Sequence, residues 1–272
     1  LYPPQPPLAM EPRLTQIARS HSQYMLRNAV QEHQERDPVT GKVISTTESR
    51  LLGSGYPLSA GGESVYAYAK TPLEGHASFE VDWGLGDGGV QRPPGHRNSN
   101  HDGAFREVGV GVVHGTQSRV TPPVTNAVGT NIVITPAVTN TVGPSLVTLD
   151  FGSRSDLPPL VTGVVYYDFN TNGFYDVDEG VPGVRVEGES SRWFATTASS
   201  GGYAIPGVEG SQKIRFLSGD HELGSRTVSV ILGKNVKQDC ILPYAGIRVL
   251  GPTSASVTGL NVYRVEQILG AS

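Results

Sequence analysis

The pattern of hydrophobic and polar positions changes near residue 107. Before that point, one segment (PRLTQIARSHSQYMLRNA) carries apolar side chains at helical spacing. The apolar positions on this predicted helix face are Leu14, Ile17, Ala18, Tyr24 and Met25. His21 falls on the same stripe, so we expect it to be packed and hydrogen-bonded.

Three shorter segments before residue 84 also indicate helices. STTESRLLG offers Ser45 and Glu48 as a capping box, with Gly53 as the stop. ESVYAYAK and EGHASFEVDW are interpreted as two further short helices.

From Glu107 onward the chain alternates as strands do, first in EVGVGVVHG and again in PSLVTLDFG. Between them, TPPVTNAVG nearly recurs as TPAVTNTVG. Two copies are too few for a solenoid, and both have Pro, Asn and Gly at turn positions. The pattern predicts a projecting hairpin over 115–143.

A polar, proline-stiffened segment (SRSDLPPL, 153–160) is interpreted as a linker. Short strands follow at regular spacing up to residue 243, which is typical of a small β-sandwich. The predicted fold class is therefore α+β, with a mixed domain over 1–152 and an all-β domain over 161–243. Residues 244–272 carry weak strand signals whose placement the sequence leaves open.

Composition agrees with this division. The 34 glycines, 20 prolines and 17% charged residues favour turns and strands over long helices. A net charge of −4 provides no basic face, so nucleic acid is not an expected partner.

No apolar run approaches the ~20 residues of a membrane span. The first residues do not resemble a signal peptide, so we expect a mature or trimmed chain. The single cysteine, Cys240, excludes an internal disulfide, and we expect it to be a small buried hydrophobe.

The segment DFNTNGFYDVDEG lies between two predicted strands and has the spacing of a twelve-residue calcium loop. Its ligand positions are Asp168, Asn170, Asn172, Phe174 (through its carbonyl), Asp176 and Glu179. Three carboxylates so close together would repel one another without a cation. Since strands flank the loop, we expect calcium to stabilise structure there; the alternative is an Asn/Asp/Gly-rich turn without an ion.

The stretch VTGVVYYDFNTNGFYDVDEGVPGVRVEG, with GGYAIPG after it, resembles the SdrD-type B and Cna B-type repeats of bacterial surface and secreted proteins. The resemblance implies a prealbumin-like or immunoglobulin-like sandwich that acts as a stalk or spacer and often binds calcium.

The first domain resembles the bacterial branch of the CAP superfamily, which has the SCP-like fold. The stretches that match in order are ARSHSQYML, EHQERDPVTGK, GYPLSAGGESV, GHRNSNHDGAFREVGVGVV and PSLVTLDFG. The resemblance implies an α-β-α sandwich. It also implies a central cleft lined by two histidines and two acids, which in some members holds a divalent metal.

Carried over to this chain, the resemblance assigns His33, Glu63 and His96 to the cleft. Two imidazoles and a carboxylate are a common zinc ligand set, but a single acid could equally orient or deprotonate a histidine, so the sequence leaves open whether zinc or another divalent metal is bound in the cleft. The alternative is that His96 and Arg97 cap and brace the strand that follows.

The second acid of the family has no match after Trp83, because Glu80, Asp82 and Asp87 are off register. His101 and His114 have no family counterpart, and we expect them to be solvated.

Three functions are compatible with these features, and we predict the first, with the other two as alternatives. The first is a secreted or cell-surface binding module whose cleft takes an extracellular peptide, lipid or protein, carried on a calcium-stabilised spacer. The second is a metal-assisted peptide or ester hydrolase that uses the same cleft, although no nucleophile motif is present and Ser64 is the one serine beside the candidate residues. The third is a purely structural envelope protein.

Overall fold

The structure is a computed structural model of the chain and describes residues 2–128, 131–154, 156, 158–189, 191–243, 246–250 and 264–268. The chain divides into two compact units, Leu1–Leu157 and Pro158–Ser272. The division falls inside the segment that the sequence predicts as a linker.

A four-stranded sheet forms the centre of the first unit. Strand β1 (Ala9–Met10) runs parallel to β5 (Glu107–His114), and β10 (Ser145–Ser153) lies antiparallel between β5 and β4 (Ala60–Ala69). Every residue of β10 is buried. Both faces of the sheet are therefore covered, and β4 forms one edge.

Helices lie on both faces of this sheet. Leu146 of β10 packs in a cluster with Met25 of α1 (Pro12–Asn28), whereas Val147 packs with Phe79 of α3 (Pro72–Val81). Since neighbouring residues of a strand point to opposite faces, α1 and α3 cover opposite sides. The first unit thus has the mixed α+β character that the sequence predicts, with α4 (Gly95–Asn100) beside α3.

The long amphipathic helix forms as predicted. Glu11 caps its start by accepting a hydrogen bond from the Leu14 N–H at 2.9 Å, and Ala29 ends it in the left-handed conformation. His21 is fully buried and hydrogen-bonded, as expected from its place on the apolar stripe.

The second helix, α2 (Thr47–Gly53), has its capping box one residue later than predicted. The Thr46 hydroxyl accepts from the Ser49 N–H at 3.2 Å, and the Ser49 hydroxyl accepts from the Thr46 N–H at 2.8 Å. Thr46 and Ser49 suit these two positions because their hydroxyl groups reach nearby backbone N–H groups.

The prediction of a helix in ESVYAYAK is wrong, because this segment belongs to strand β4. Val65 and Ala67 point to the α1 side, and Tyr66 lies in the cluster on the α3 side. This alternation has a period of two, and it buries side chains on both faces of the sheet.

The near-repeat over 115–143 forms a two-stranded ribbon. Strand β6 (Gln117–Thr121) pairs with β9 (Val138–Val142), and β7 (Val124–Val128) pairs with β8 (Asn131–Thr135). A smaller hairpin joins β2 (Glu35–Arg36) to β3 (Val43–Ser45).

The second unit contains two sheets that share one apolar core. Val161 and Ile205 from one sheet pack with Val186 and Phe216 from the other, and Cys240 is buried among them. Burial raises the pKa of the Cys240 thiol, which suits a packed hydrophobe better than a reactive nucleophile.

The first of these sheets has the order β14 (Gly202–Pro206), β11 (Leu160–Tyr166), β17 (Val236–Lys237), with β18 (Cys240–Ile241) also on β11. The second has the order β13 (Phe194–Thr196), β12 (Arg185–Gly188), β15 (Gly210–Ser218), β16 (His221–Val230). A separate antiparallel pair joins β19 (Gly246–Leu250) and β20 (Arg264–Ile268). The relationship of this unit to the SdrD-type B and Cna B-type repeats stays a prediction.

Candidate functional site

A histidine–glutamate pair lies at the edge of the sheet in the first unit. His33 Nδ1 is 2.8 Å from Glu63 Oε1, which joins two residues thirty positions apart in sequence. The His33 side chain is 53% exposed, whereas the Glu63 side chain is almost fully buried. The His33 imidazole is therefore accessible to solvent, and the buried Glu63 carboxylate fixes its orientation.

Two further donors bond Glu63, and a second imidazole lies near by. Arg50 Nη2 donates to Oε2 at 2.5 Å, the Thr47 hydroxyl donates to Oε1 at 2.9 Å, and His21 Nε2 lies 3.9 Å from Oε1. Burial acts to raise the pKa of Glu63, but the His33 hydrogen bond and the charges of His21 and Arg50 outweigh it and hold that pKa below its usual value. Glu63 is therefore an ionised carboxylate at neutral pH.

His21 and Arg50 are themselves fixed by backbone carbonyls, and His21 also by the Glu35 carboxylate. His21 Nε2 lies 2.8 Å from the Glu32 carbonyl and Nδ1 lies 3.1 Å from Glu35 Oε1, while Arg50 Nη2 also donates to the His33 carbonyl at 3.0 Å. α1 and α2 thus both hold the segment that carries His33.

A groove of about 690 Å³ opens above this pair. One side of the groove is α2, with Thr47, Glu48, Leu51 and Leu52, and the other is the start of β4. The complete lining is His33, Thr47, Glu48, Leu51, Leu52, Leu58, Ser59, Ala60, Gly61, Gly62 and Glu63. The surface combines leucine side chains, strand backbone and the polar pair.

His96 does not join this groove, which corrects the predicted trio of His33, Glu63 and His96. His96 Nδ1 lies 2.8 Å from Asp82 Oδ1, and its ring centroid is 5.2 Å from that of Phe79. Phe79 packs with Leu149 on the α3 side, whereas Glu63 pairs in register with Asp150, the next residue of β10. Because adjacent strand residues point to opposite faces, the two histidines belong to opposite sides of the sheet.

The alternative interpretation of His96 and Arg97 fits the contacts better, although the element they brace is a helix. Asp82 Oδ2 accepts the backbone N–H groups of His96 and Arg97 at 3.0 and 3.3 Å. Arg97 donates from Nε to the Glu80 carbonyl and from Nη2 to the Val81 carbonyl, both at 2.5 Å. These bonds satisfy the last carbonyls of α3 and the first N–H groups of α4.

Residues 4–131 match the profile of the cysteine-rich secretory protein family, CAP. This segment is a CAP domain. A solved structure, that of an extracellular protein containing a SCP domain from Bacillus anthracis str. Ames, is 17% identical over 55% of this chain, with a TM-score of 0.34. The chain spans only 35% of the length of that protein. No curated protein matches this chain in sequence.

Other polar residues of the CAP domain lie away from the groove. Ser64 is fully buried, and its hydroxyl lacks a hydrogen-bond partner in the described part of the chain. As the neighbour of Glu63 on β4, it points to the other face of the sheet. His101 is partly covered and lies 3.0 Å from Glu80 Oε2, and His114 lies 3.0 Å from the Ser145 hydroxyl, so both have protein partners where we expected solvation alone.

The predicted calcium loop brings some of its ligand positions together. The Asn170 and Asn172 amides donate to Asp176 Oδ2 at 2.6 and 2.7 Å, and Asp168 accepts the backbone N–H groups of Asn172 and Gly173. Gly173 has φ 77°, which the sharp turn at position six requires.

Glu179 closes the same loop. It is 3% exposed and accepts the backbone N–H groups of Phe169 and Asp176, both at 2.9 Å. Within the described ranges, no three His, Cys, Asp or Glu side chains converge as metal ligands. The side-chain oxygens of Asn170 and Asn172 accept the backbone N–H groups of Asn172 and Phe174 at 3.0 and 2.7 Å, and calcium binding at this loop stays a prediction.

Sequence reasoning missed three residues of the first unit. Asp82 is off register with the family's second acid, yet it is the partner of His96. Arg50 and Asp150 carry no motif, and only the fold brings them beside Glu63. For Asp150 there was one usable signal, an acidic residue inside an otherwise apolar strand pattern (PSLVTLDFG).

Among the described residues, no helix has the length and apolar composition that a membrane crossing requires.

Proposed function

We propose that the CAP domain is an extracellular binding module whose groove takes an extended peptide. The observation that carries this proposal is the groove beside the edge strand β4, with the half-exposed His33 at its polar end. The extracellular location rests on the family match to cysteine-rich secretory proteins.

The strand edge favours a peptide over a lipid. β4 pairs with β10 alone among the described strands, and the backbone of Ala67 in its second half is bonded by Gln31 and Gly143, so the part of its edge open to a partner is the start that lines the groove. Gly61 and Gly62 line the groove and have no side chains to cover their backbone. An extended peptide gains main-chain hydrogen bonds at such an edge, while a lipid chain needs an apolar lining without them.

The side chains suggest which peptide would fit. Leu52 is 54% exposed and, with Leu51 and Leu58, offers a pocket wall for an apolar residue. His33 offers its ring at the polar end and can donate to a carbonyl or carboxylate. An apolar residue followed by an acceptor is the recognition pattern that these groups support.

Selection from a random peptide library displayed on phage, with the whole protein immobilised, tests the proposal. Enriched peptides should bind wild type, and Leu52→Glu should weaken them at least about tenfold, because a buried charge replaces an apolar contact. Leu73→Glu is the matched control, since Leu73 is 77% exposed and lies on α3 across the sheet. Equal binding by both variants, or no enriched sequence, would reject the peptide groove.

A second candidate function is hydrolysis, with His33 as general base. Glu63 engages Nδ1, and Nε2 of the same ring makes no hydrogen bond within the part of the chain described. A carboxylate that orients a histidine in this way is a common base arrangement. Ester or peptide cleavage that disappears in His33→Ala, but persists in Leu73→Glu, would support this function over simple binding.

For the second unit we propose a spacer stabilised by calcium in the loop 168–179. The ligand spacing, the left-handed turn at Gly173 and the convergence of Asn170 and Asn172 on Asp176 support this proposal.

A further inference from the structure

Two buried carboxyl groups face each other beneath the groove. Asp150 of β10 and Glu63 of β4 are direct partners in the antiparallel register, so their side chains emerge on the same face. Asp150 is 1% exposed, and the side chain of Glu63 is equally buried.

The hydrogen-bond donors around this pair all go to Glu63. His33, Thr47 and Arg50 donate to it, whereas neither carboxyl oxygen of Asp150 has a partner among the described groups. Arg50 Nε and Nη1 are buried near by and also lack a partner there. The Glu63 carboxylate is the group that can share a hydrogen bond with Asp150.

An ionised Asp150 would be costly in this position. Burial first, and then the negative charge of Glu63, raise the pKa of Asp150 well above its usual value. A buried charge without donors is unfavourable, and two carboxylates in contact cannot both ionise cheaply. The surroundings of the two groups thus favour a protonated Asp150 and an ionised Glu63.

We infer that Asp150 is a neutral carboxylic acid that donates its proton to the Glu63 carboxylate and so acts as a positioning residue for the His33–Glu63 pair. The hydrogen bond occupies one acceptor site of Glu63 and leaves Oε1 for His33 and Thr47. The significance for ligand binding rests on the proposed function of the groove, but the protonation state does not.

Several other charged or titratable groups surround this pair. They are His21 from α1, His33 from the segment after it, Arg50 and Glu48 from α2, and Glu35, which bonds His21, from β2. A test must therefore isolate Asp150 by difference. Asp150→Asn keeps the shape and an N–H donor but cannot ionise, and Asp150→Leu removes the donor.

Infrared spectroscopy gives the direct readout. At neutral pH the full-length protein should show a protonated carboxylic acid band, which Asp150→Asn abolishes. Asp87→Asn, which removes an exposed carboxylate, should keep it. Absence of the band in wild type would overturn the inference.

NMR titration of the His33 ring, assigned with His33→Gln, tests the positioning role. Asp150→Asn should leave the His33 midpoint within about 0.3 units, whereas removal of a real negative charge would lower it by about one unit. Asp150→Leu should raise the midpoint, because Glu63 loses a donor and becomes a stronger partner for His33. An unchanged midpoint in Asp150→Leu would remove the positioning role, even if the infrared band is present.

The pH dependence of stability gives a third readout. A carboxyl group whose pKa is raised on folding destabilises the native state as pH rises from its unfolded value of about 3.9 toward the folded value. The unfolding constant of wild type, relative to Asp150→Asn, should therefore increase about tenfold per pH unit over that window. A ratio that stays constant would contradict a buried neutral acid. None of these measurements needs a peptide, so failure of the groove proposal would appear separately in the phage selection.

Discussion

Asp82 shows how one carboxylate can join two helices. It ends α3 in a left-handed conformation with φ 57°, and it accepts bonds from the ring and backbone of His96 and from the backbone of Arg97. Asp82 is fully buried, so water cannot replace it as acceptor. The Asp82–His96 pair therefore serves primarily to hold α4 against α3.

We predict that Asp82→Ala lowers the free energy of unfolding by about 2–3 kcal/mol, because it leaves buried donors without an acceptor. Urea denaturation measures this change, with Asp87→Ala as the exposed control. Peptide binding in the groove should survive, since the pair lies on the other face of the sheet. Loss of binding at unchanged stability would instead make Asp82 part of the binding site.

At the scale of elements, α1 rests directly on the backbone of β5. A Cβ built at Gly109 would lie 2.0 Å from the Leu14 carbonyl carbon, and one built at Gly111 would lie 2.2 Å from that of Ala18. The alternating glycines in EVGVGVVHG therefore mark the face that receives the helix, and the valines between them point to the other face. Ser22 on α1 adds a buried hydrogen bond to the Gly111 carbonyl at 3.0 Å.

We predict that Gly111→Ala destabilises the protein by about 1–3 kcal/mol or more, because a methyl group would have to push α1 away from the sheet. Gly53→Ala is the control: its Cβ would meet nothing within 4 Å. Thermal unfolding should show a clear loss for the first variant and no loss for the second. Equal melting temperatures would mean that α1 can shift without cost.

How far the sequence predicts each element depends on where its stabilising contacts lie. α1 was predictable because its apolar stripe and its cap are both local. In ESVYAYAK, Ala and Glu favour a helix, but pairing with β10 determines a strand. The His33–Glu63 pair could be predicted by family resemblance, whereas Asp82 and Asp150 act through neighbours distant in sequence, which no local pattern records.

At the scale of the whole molecule, the two units have separate apolar cores. Val165 and Phe216 belong to one cluster, while Met25, Phe79 and Leu51 belong to three clusters of the first unit. Each unit has its own buried surface to stabilise it, so we expect two calorimetric transitions. The predicted calcium loop belongs to the second unit alone, so calcium binding there would make the ion a selective probe of that unit.

We predict that calcium raises the melting temperature of only one transition of the full-length protein, and that a chelator reverses the change. Saturation at about one hundred times the dissociation constant should add about 2.7 kcal/mol to the free energy of unfolding of that unit.

Asp176→Asn removes a ligand charge and should raise the half-saturating calcium concentration at least about tenfold. Asp178→Asn is the matched control, because it removes an equal charge at a position of the same loop that is not a ligand. Asp178 has φ 74°, and Asn also adopts this left-handed conformation readily. If both variants respond alike, the effect is general screening of the acidic loop, and the loop binds no specific ion. If neither transition responds in wild type, the loop is a hydrogen-bonded turn, with the Asn170 and Asn172 contacts to Asp176 as its stabilising bonds.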